Sequence, residues 1–400
     1  MINLRFDFRD LFRSARVAFS FQRLWIQGVG VIVGLIGYGV FTYFSLLVSG
    51  KPLSEIWHDF GVLPWVVGLQ LHWIGWVIYA AGCLILLFIW LVTATAVSRA
   101  AYMHLKGNTF YTWKEAFRFA LKKKGGSVIS TPLAILVIAV LLGAGGLFIG
   151  LLGRIPVVGP IGISLFAVAW FMAALFLIFT LLALAVSLIL TPAVLAATDD
   201  DAFEGIFQSY SILHAQPWRL IFYEILTVVV AAVGFGLLAF FAKRGWLLMT
   251  TLFIRGMGES FADISYAASA LLQQWIHPAA DWFQSILGQY SGLFSFAHDF
   301  ETGSVPLIIS IASWIFAVFM LLITLFIAAY PLAVFNSGQT LIFLVLKNKK
   351  DDENLLERKD QEESFEEEIE TLEAEEPEKE EKPSKKKTAS PKKPVKKKKE

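Results

Sequence analysis

Six stretches of this chain, residues 25–48, 73–97, 128–152, 161–191, 220–241 and 305–330, are apolar over a length that reaches across a bilayer. An α-helix needs roughly 20 such residues to cross a hydrocarbon core about 30 Å thick. Within lipid, each backbone N–H and C=O must find its partner inside the protein, which leaves helices as the fitting element. The expectation is an all-α, six-span transmembrane helical bundle. Composition agrees, with 56% hydrophobic against 17% charged residues. The lone cysteine, Cys83, sits inside an apolar run, so neither a disulfide framework nor a thiolate metal cluster is expected.

Basic residues set the expected orientation. Arg5, Arg9, Arg13, Arg16 and Arg23 precede the first span, and Arg99, Lys106, Lys114, Arg118 and Lys122 to Lys124 fill the connection after the second. The opposite connections are poorer, with Lys51 in one and Arg154 in another. The positive-inside rule then predicts both termini in the cytoplasm, N-in and C-in. Lys243 and Arg244, just beyond the fifth span, run against the pattern. The arginine-rich start leads to no small-residue cleavage site and is read as retained.

The cytoplasmic segments suggest a threefold helix-hairpin repeat, in which each unit is an amphipathic helix, an outgoing span and a returning span. Each amphipathic helix begins with an acid two residues before a phenylalanine: Asp10 before Phe12, Glu115 before Phe117 and Asp201 before Phe203. An acid there suits the positive end of the helix dipole. In the first, Phe8, Leu11, Phe12, Ala15 and Phe19 recur at helical spacing, while Arg9, Arg13 and Arg16 take another face. Outgoing spans carry Gly30 and Gly34, Gly146 and Gly150, and Gly234 and Gly236; the four-residue spacing of the first two pairs predicts close helix approach, and the third pair lacks it. Two returning spans carry Pro192 and Pro331 in a shared apolar extension, with Thr93 to Val97 in the matching place of the other. A six-helix protein with unrelated glycines and interfacial arginines would give the same features.

This layout, over about residues 8–346 and with the acid-x-Phe starts at Phe12, Phe117 and Phe203, resembles a group of bacterial uncharacterised multi-pass membrane proteins. That group includes the membrane domain of some glycerophosphodiester phosphodiesterases. Their catalytic barrel has no counterpart here, so the resemblance implies a helical membrane module and carries over no enzymatic residue.

The search for chemistry assigns no catalytic, cofactor-binding or metal-ligating residue. Glu224 is the one ionisable side chain within the apolar runs, and it reads either as an interfacial anchor near Arg219 or as a buried functional carboxylate. His58-Asp59-Phe60 and His298-Asp299-Phe300 repeat a tripeptide; with His72, His277 and Asp281 they would have to converge to hold a metal such as zinc, and no pair has helical metal-site spacing. Asp199, Asp200, Asp201 and Glu204 read as a helix start, with Asp201 as N-cap and Glu204 closing a capping box. An Mg²⁺ and phosphate site in a lipid-modifying enzyme is the sharper reading of the same acids.

The expected organisation is a cytoplasmic amphipathic segment at 1–24, a membrane domain at 25–346 and a disordered charged cytoplasmic tail at 347–400. Within the membrane domain, 242–304 forms an outer helical segment, with interfacial helices at 249–261 and 266–287 that cap the bundle or act as a lid. In the tail, 351–381 holds 17 acids and 382–399 ten lysines with no acid. The functional reading is a non-enzymatic multi-pass membrane protein, a membrane-organising or partner-recruiting module of the cell membrane, with a bacterial inner membrane expected. Its partners would be the lipid bilayer and an anionic lipid, RNA or protein met through the lysine-rich end. The alternative is a transporter or channel for a neutral or amphipathic solute.

Overall fold

The computed structural model describes residues 4–62, 64, 66, 69–287 and 306–358. The expectations placed on 298–300 and on 359–400 lie outside the described residues, as do the side chains of His277 and Asp281. The described residues fold into helices and connecting turns, without a strand. A 3-10 turn at Phe8–Phe12 leads into α1 (Arg13–Ala18), followed by α2 (Phe21–Val48), α3 (Leu53–Phe60) and α4 (Trp73–Lys106). Next come α5 (Trp113–Arg118), a π-helical turn at Phe119–Lys123, α6 (Gly125–Leu152), α7 (Val158–Leu165) and α8 (Ala167–Thr198). The chain continues through α9 (Ala202–Ala215), α10 (Pro217–Met257), α11 (Glu259–Leu287) and α12 (Leu307–Asp351).

Six of these helices, α2, α4, α6, α8, α10 and α12, are long and apolar enough to cross a membrane. They pair as the hairpins α2–α4, α6–α8 and α10–α12, and the returning helices α4, α8 and α12 pack against one another. Each short helix α1, α5 and α9 lies against the hairpin that precedes it, with α12 and α10 serving α1.

The returning helices are longer than a bilayer requires. At 45 residues α12 measures about 68 Å, more than twice the hydrocarbon thickness. The surplus is buried protein: Leu91 to Met103 in α4, Leu190 to Thr198 in α8 and Ala333 to Leu346 in α12 are the densest runs of buried residues. That near end is the core of the molecule, and the spans beyond it expose apolar side chains to the space a bilayer would fill.

Several boundaries differ from expectation for local reasons. The fourth span begins at Ala167 instead of residue 161, because α7 ends at Leu165 and a break at Phe166 separates it from α8. The fifth helix runs on to Met257, where Gly258 at φ +68 turns the chain, so 249–257 continues α10 and no separate interfacial helix forms there. Lys243 and Arg244 do not end it; the Arg244 guanidinium lies over the Phe240 ring at 5.2 Å, an apolar stem beside a polar tip. Pro192 and Pro331 both sit inside continuous helices. α11 folds back along α12, with Trp275 on Trp314 at 5.1 Å and Phe261 on Phe316 at 5.7 Å. Val62 N–H donates to Trp275 C=O at 2.8 Å, and Gly61, at φ +54, sits so close to that carbonyl that a β-carbon would collide.

The glycines divide into two groups. A β-carbon on Gly30 would strike Thr93, one on Gly34 would meet Leu86 at 3.1 Å, and one on Gly234 would meet Tyr330 at 3.1 Å. Gly146, Gly150 and Gly236 face nothing within 4 Å, so the close approach expected from the Gly146 and Gly150 spacing fails.

Candidate functional site

The near end is stitched by polar groups that the apolar pattern alone would not place. Arg99, in the last third of α4, is fully buried, and its Nη1 donates to the Ala196 carbonyl of α8 at 2.9 Å. Its guanidinium lies 4.3 Å from the centre of the Phe119 ring and 5.6 Å from that of Tyr102. A cation at the C-terminal turns of α8 meets the negative end of that helix dipole, and the aromatic faces supply further attraction in place of water. The long stem of the arginine is covered by the same packing.

The α2, α4 and α12 ends are tied by a second set. Asn336 Nδ2 donates to Gln27 Oε1 at 2.8 Å, Ser98 Oγ donates to the Asn336 carbonyl at 3.3 Å, and Thr340 Oγ1 donates to the Ser98 carbonyl at 3.5 Å. All four residues are buried. Glu224 of α10 accepts from Gln339 Nε2 of α12 at 2.7 Å, while Arg219 turns to Gln216 at 3.5 Å. Glu224 therefore joins two helices and is not the partner of Arg219. Buried polar groups that find partners this way avoid the penalty of lost hydration and hold one arrangement of the helices.

The acidic cluster has three separate jobs. Asp199, buried at the C-cap of α8 with φ +58, meets Lys123 at 2.8 Å and Lys124 at 3.1 Å. Lys124 Nζ also donates to the Asp199 and Asp200 carbonyls, each at 2.7 Å. Asp200 accepts from Arg358 at 3.3 and 3.4 Å. Asp201 is the N-cap of α9, accepting from the Phe203 and Glu204 N–H groups at 3.0 and 3.4 Å. The expected cap is thus present, but Glu204 accepts from Gln208 at 2.6 Å instead of closing the box; the reciprocal box belongs to Thr112 and Glu115 on α5. The lysines that read as topology signals are the counter-ions of the acid that read as a helix start.

The chain beyond α12 is latched to this junction. Tyr102 Oη donates to the Leu355 carbonyl at 2.7 Å, Leu355 and Leu356 are buried, and Arg358 reaches Asp200. Lys347 pairs with Asp351 at 2.8 Å and Glu353 at 3.6 Å, fixing the turn that follows the helix.

The two far-side histidines with described side chains are engaged locally. His58 is 86% exposed and lies 3.4 Å from its neighbour Asp59, while His72 Nδ1 accepts from Ile74 N–H at 3.4 Å as the N-cap of α4. Among the described residues no three His, Cys, Asp or Glu side chains gather as metal ligands. Gln27, Asn336 and Gln339 escaped sequence reasoning, and Arg99 was read there only as an orientation signal. The available signal was polar residues spaced within otherwise apolar helix ends.

These features define a multi-pass helical membrane protein with a polar-stitched junction at one end of its bundle. No protein-family model, curated protein or solved structure matches the chain.

Proposed function

We propose that the protein is a non-enzymatic membrane module that presents its charged segment, 359–400, from a fixed point at the cytoplasmic surface of a cell membrane, where the segment recruits a polyanionic partner such as RNA. The resemblance of the sequence layout to uncharacterised bacterial membrane proteins and to the membrane domain of some glycerophosphodiester phosphodiesterases is in keeping with that reading. The observation that carries it is the latch: Leu355 is held by Tyr102 and Arg358 by Asp200, so the chain leaves the junction at a defined place. Ten lysines in 382–399 supply the charge for a polyanion, whose binding releases counterions and weakens steeply with salt. The cytoplasmic placement follows from the arginines and lysines around α1 and α5.

Two measurements test this. Full-length protein in detergent should retain RNA in a salt-dependent manner, and a chain ending at Arg358 should lose that retention while melting at the same temperature. Equal retention by the two chains would remove the recruiting role. Reporters fused after Leu105, Ala197 and Lys347 should read cytoplasmic and one near Leu53 should read outside; an outside reading at Lys347 would reverse the orientation.

A further inference from the structure

We propose that α1, α10 and the near end of α4 form a binding site for one anionic phospholipid, with its phosphate in a cationic cavity and an acyl chain in the apolar groove that adjoins it. The cavity, about 1230 Å³, is lined by Arg13, Arg16, Arg23 and His104 among other residues, and no acid lines it. The groove, about 620 Å³, runs between Phe12 and Phe19 on one side and Val229, Val233, Leu237 and Phe241 of α10 on the other. The two share Ala15, Phe19 and Tyr330.

The wall they share is fixed. Tyr330 Oη donates to the Ala15 carbonyl at 3.3 Å, and the Phe19 ring stands edge-on to the Tyr330 ring at 5.9 Å. The charge in the cavity is also held in place. Arg23 Nε donates to the Val17 carbonyl at the end of α1, which anchors a buried guanidinium beside the opening. Asp10, the buried acid near α1, accepts from the Arg5 N–H at 2.8 Å and pairs with Arg13 at 3.5 Å, and it does not line the cavity. Arg16 has no hydrogen-bond or ion-pair partner among the described residues.

A ligand that uses both compartments must be anionic at one end and apolar at the other. Inorganic phosphate would fill the cavity and leave the groove empty, and a neutral lipid would fill the groove and leave the guanidiniums without an anion. Guanidinium groups suit phosphate oxygens through paired, charge-assisted hydrogen bonds. Apolar walls beside the cations also focus their field on whatever enters. The exposed phenylalanines Phe8, Phe12 and Phe19 set α1 at the depth where headgroups meet chains. The proposed site does not depend on 359–400 recruiting a partner.

The test uses the full-length protein purified in a zwitterionic detergent and equilibrated with phosphatidylglycerol, phosphatidylcholine or inorganic phosphate, with retained lipid counted by native mass spectrometry. Phosphatidylglycerol should be retained in a one-to-one complex in preference to phosphatidylcholine. The substitution Arg16→Gln should reduce that preference roughly tenfold, as loss of charge-assisted contacts would. Leu237→Trp, which fills the groove from an exposed position, should reduce retention of both lipids together. Equal retention of the two lipids by the unmodified protein would overturn the proposal, as would unchanged retention in both folded variants. Complete displacement of phosphatidylglycerol by an equal concentration of inorganic phosphate would assign the cavity to a free anion instead. The competition among the three ligands uses the unmodified protein and decides the matter even where a variant does not fold.

Discussion

The α2–α4 and α6–α8 hairpins are both built from long apolar helices, yet they are covered to different degrees. In the most apolar 18-residue stretches of α2 and α4, 28% of residues are buried, against 11% in α6 and 22% in α8. α2 lies close to α4 along its length: Thr93 occupies the space beside Gly30, Phe41 that beside Gly82, and Ser45 Oγ donates to the Gly75 carbonyl at 2.8 Å. α6 is covered only near its start, where Val128, Thr131, Ile135 and Ala139 are buried and Thr131 Oγ1 donates to the Ala202 carbonyl at 3.1 Å. Beyond that point Gly143, Gly145, Gly146 and Gly150 meet nothing within 4 Å. Small residues permit close approach in lipid without producing it; a neighbour must be brought to them. In this protein the polar stitching at the near end does so, and its influence fades along the α6–α8 arm.

The contrast makes graded predictions for unfolding of the detergent-solubilised protein. The largest effect is expected from Asp199→Ala, which leaves Lys124 buried and without its carboxylate. Removing one partner of a buried ion pair costs about 3–5 kcal/mol, and a denaturant series on the two proteins measures it. The same acid, read from sequence as part of a helix start, would have cost only what a cap is worth. Gly30→Leu should follow at about 1–3 kcal/mol, because its side chain has to displace Thr93. Gly146→Leu should stay within about 0.5 kcal/mol, as expected away from contacts. An equal loss at the two glycines would erase the distinction between the hairpins. Asp201→Ala should cost about 1 kcal/mol, the usual worth of an N-cap, and thermal melting resolves it when paired with Asp199→Ala.

What could be read from the sequence follows from range. The six spans were legible because an apolar run is a local property, and so was the Asp201 cap, whose acceptor and donors lie within three residues. The junction was not. Arg99 and Ala196 are 97 residues apart, Lys124 and Asp199 are 75 apart, and Gln27 and Asn336 are 309 apart, so each looks locally like a flanking charge or a stray amide. Glu224 was correctly marked as unusual, but its neighbour Arg219 was a poorer guide to its partner than the helix pairing that brings Gln339 to it. The glycines of α6 misled for the opposite reason, since their spacing is local while the helix that would fill it lies elsewhere.

Cysteine cross-linking tests the central claim, that the returning helices are joined at the near end. Ser98 and Thr340 are buried neighbours on α4 and α12, with the Thr340 hydroxyl 3.5 Å from the Ser98 carbonyl, whereas Phe171 of α8 is exposed on the far arm. In a Cys83→Ser background, Ser98→Cys with Thr340→Cys should form a disulfide quickly under mild oxidation, and Ser98→Cys with Phe171→Cys should not. Cross-linking at equal rates in the two pairs, or none in the first, would contradict a stitched junction.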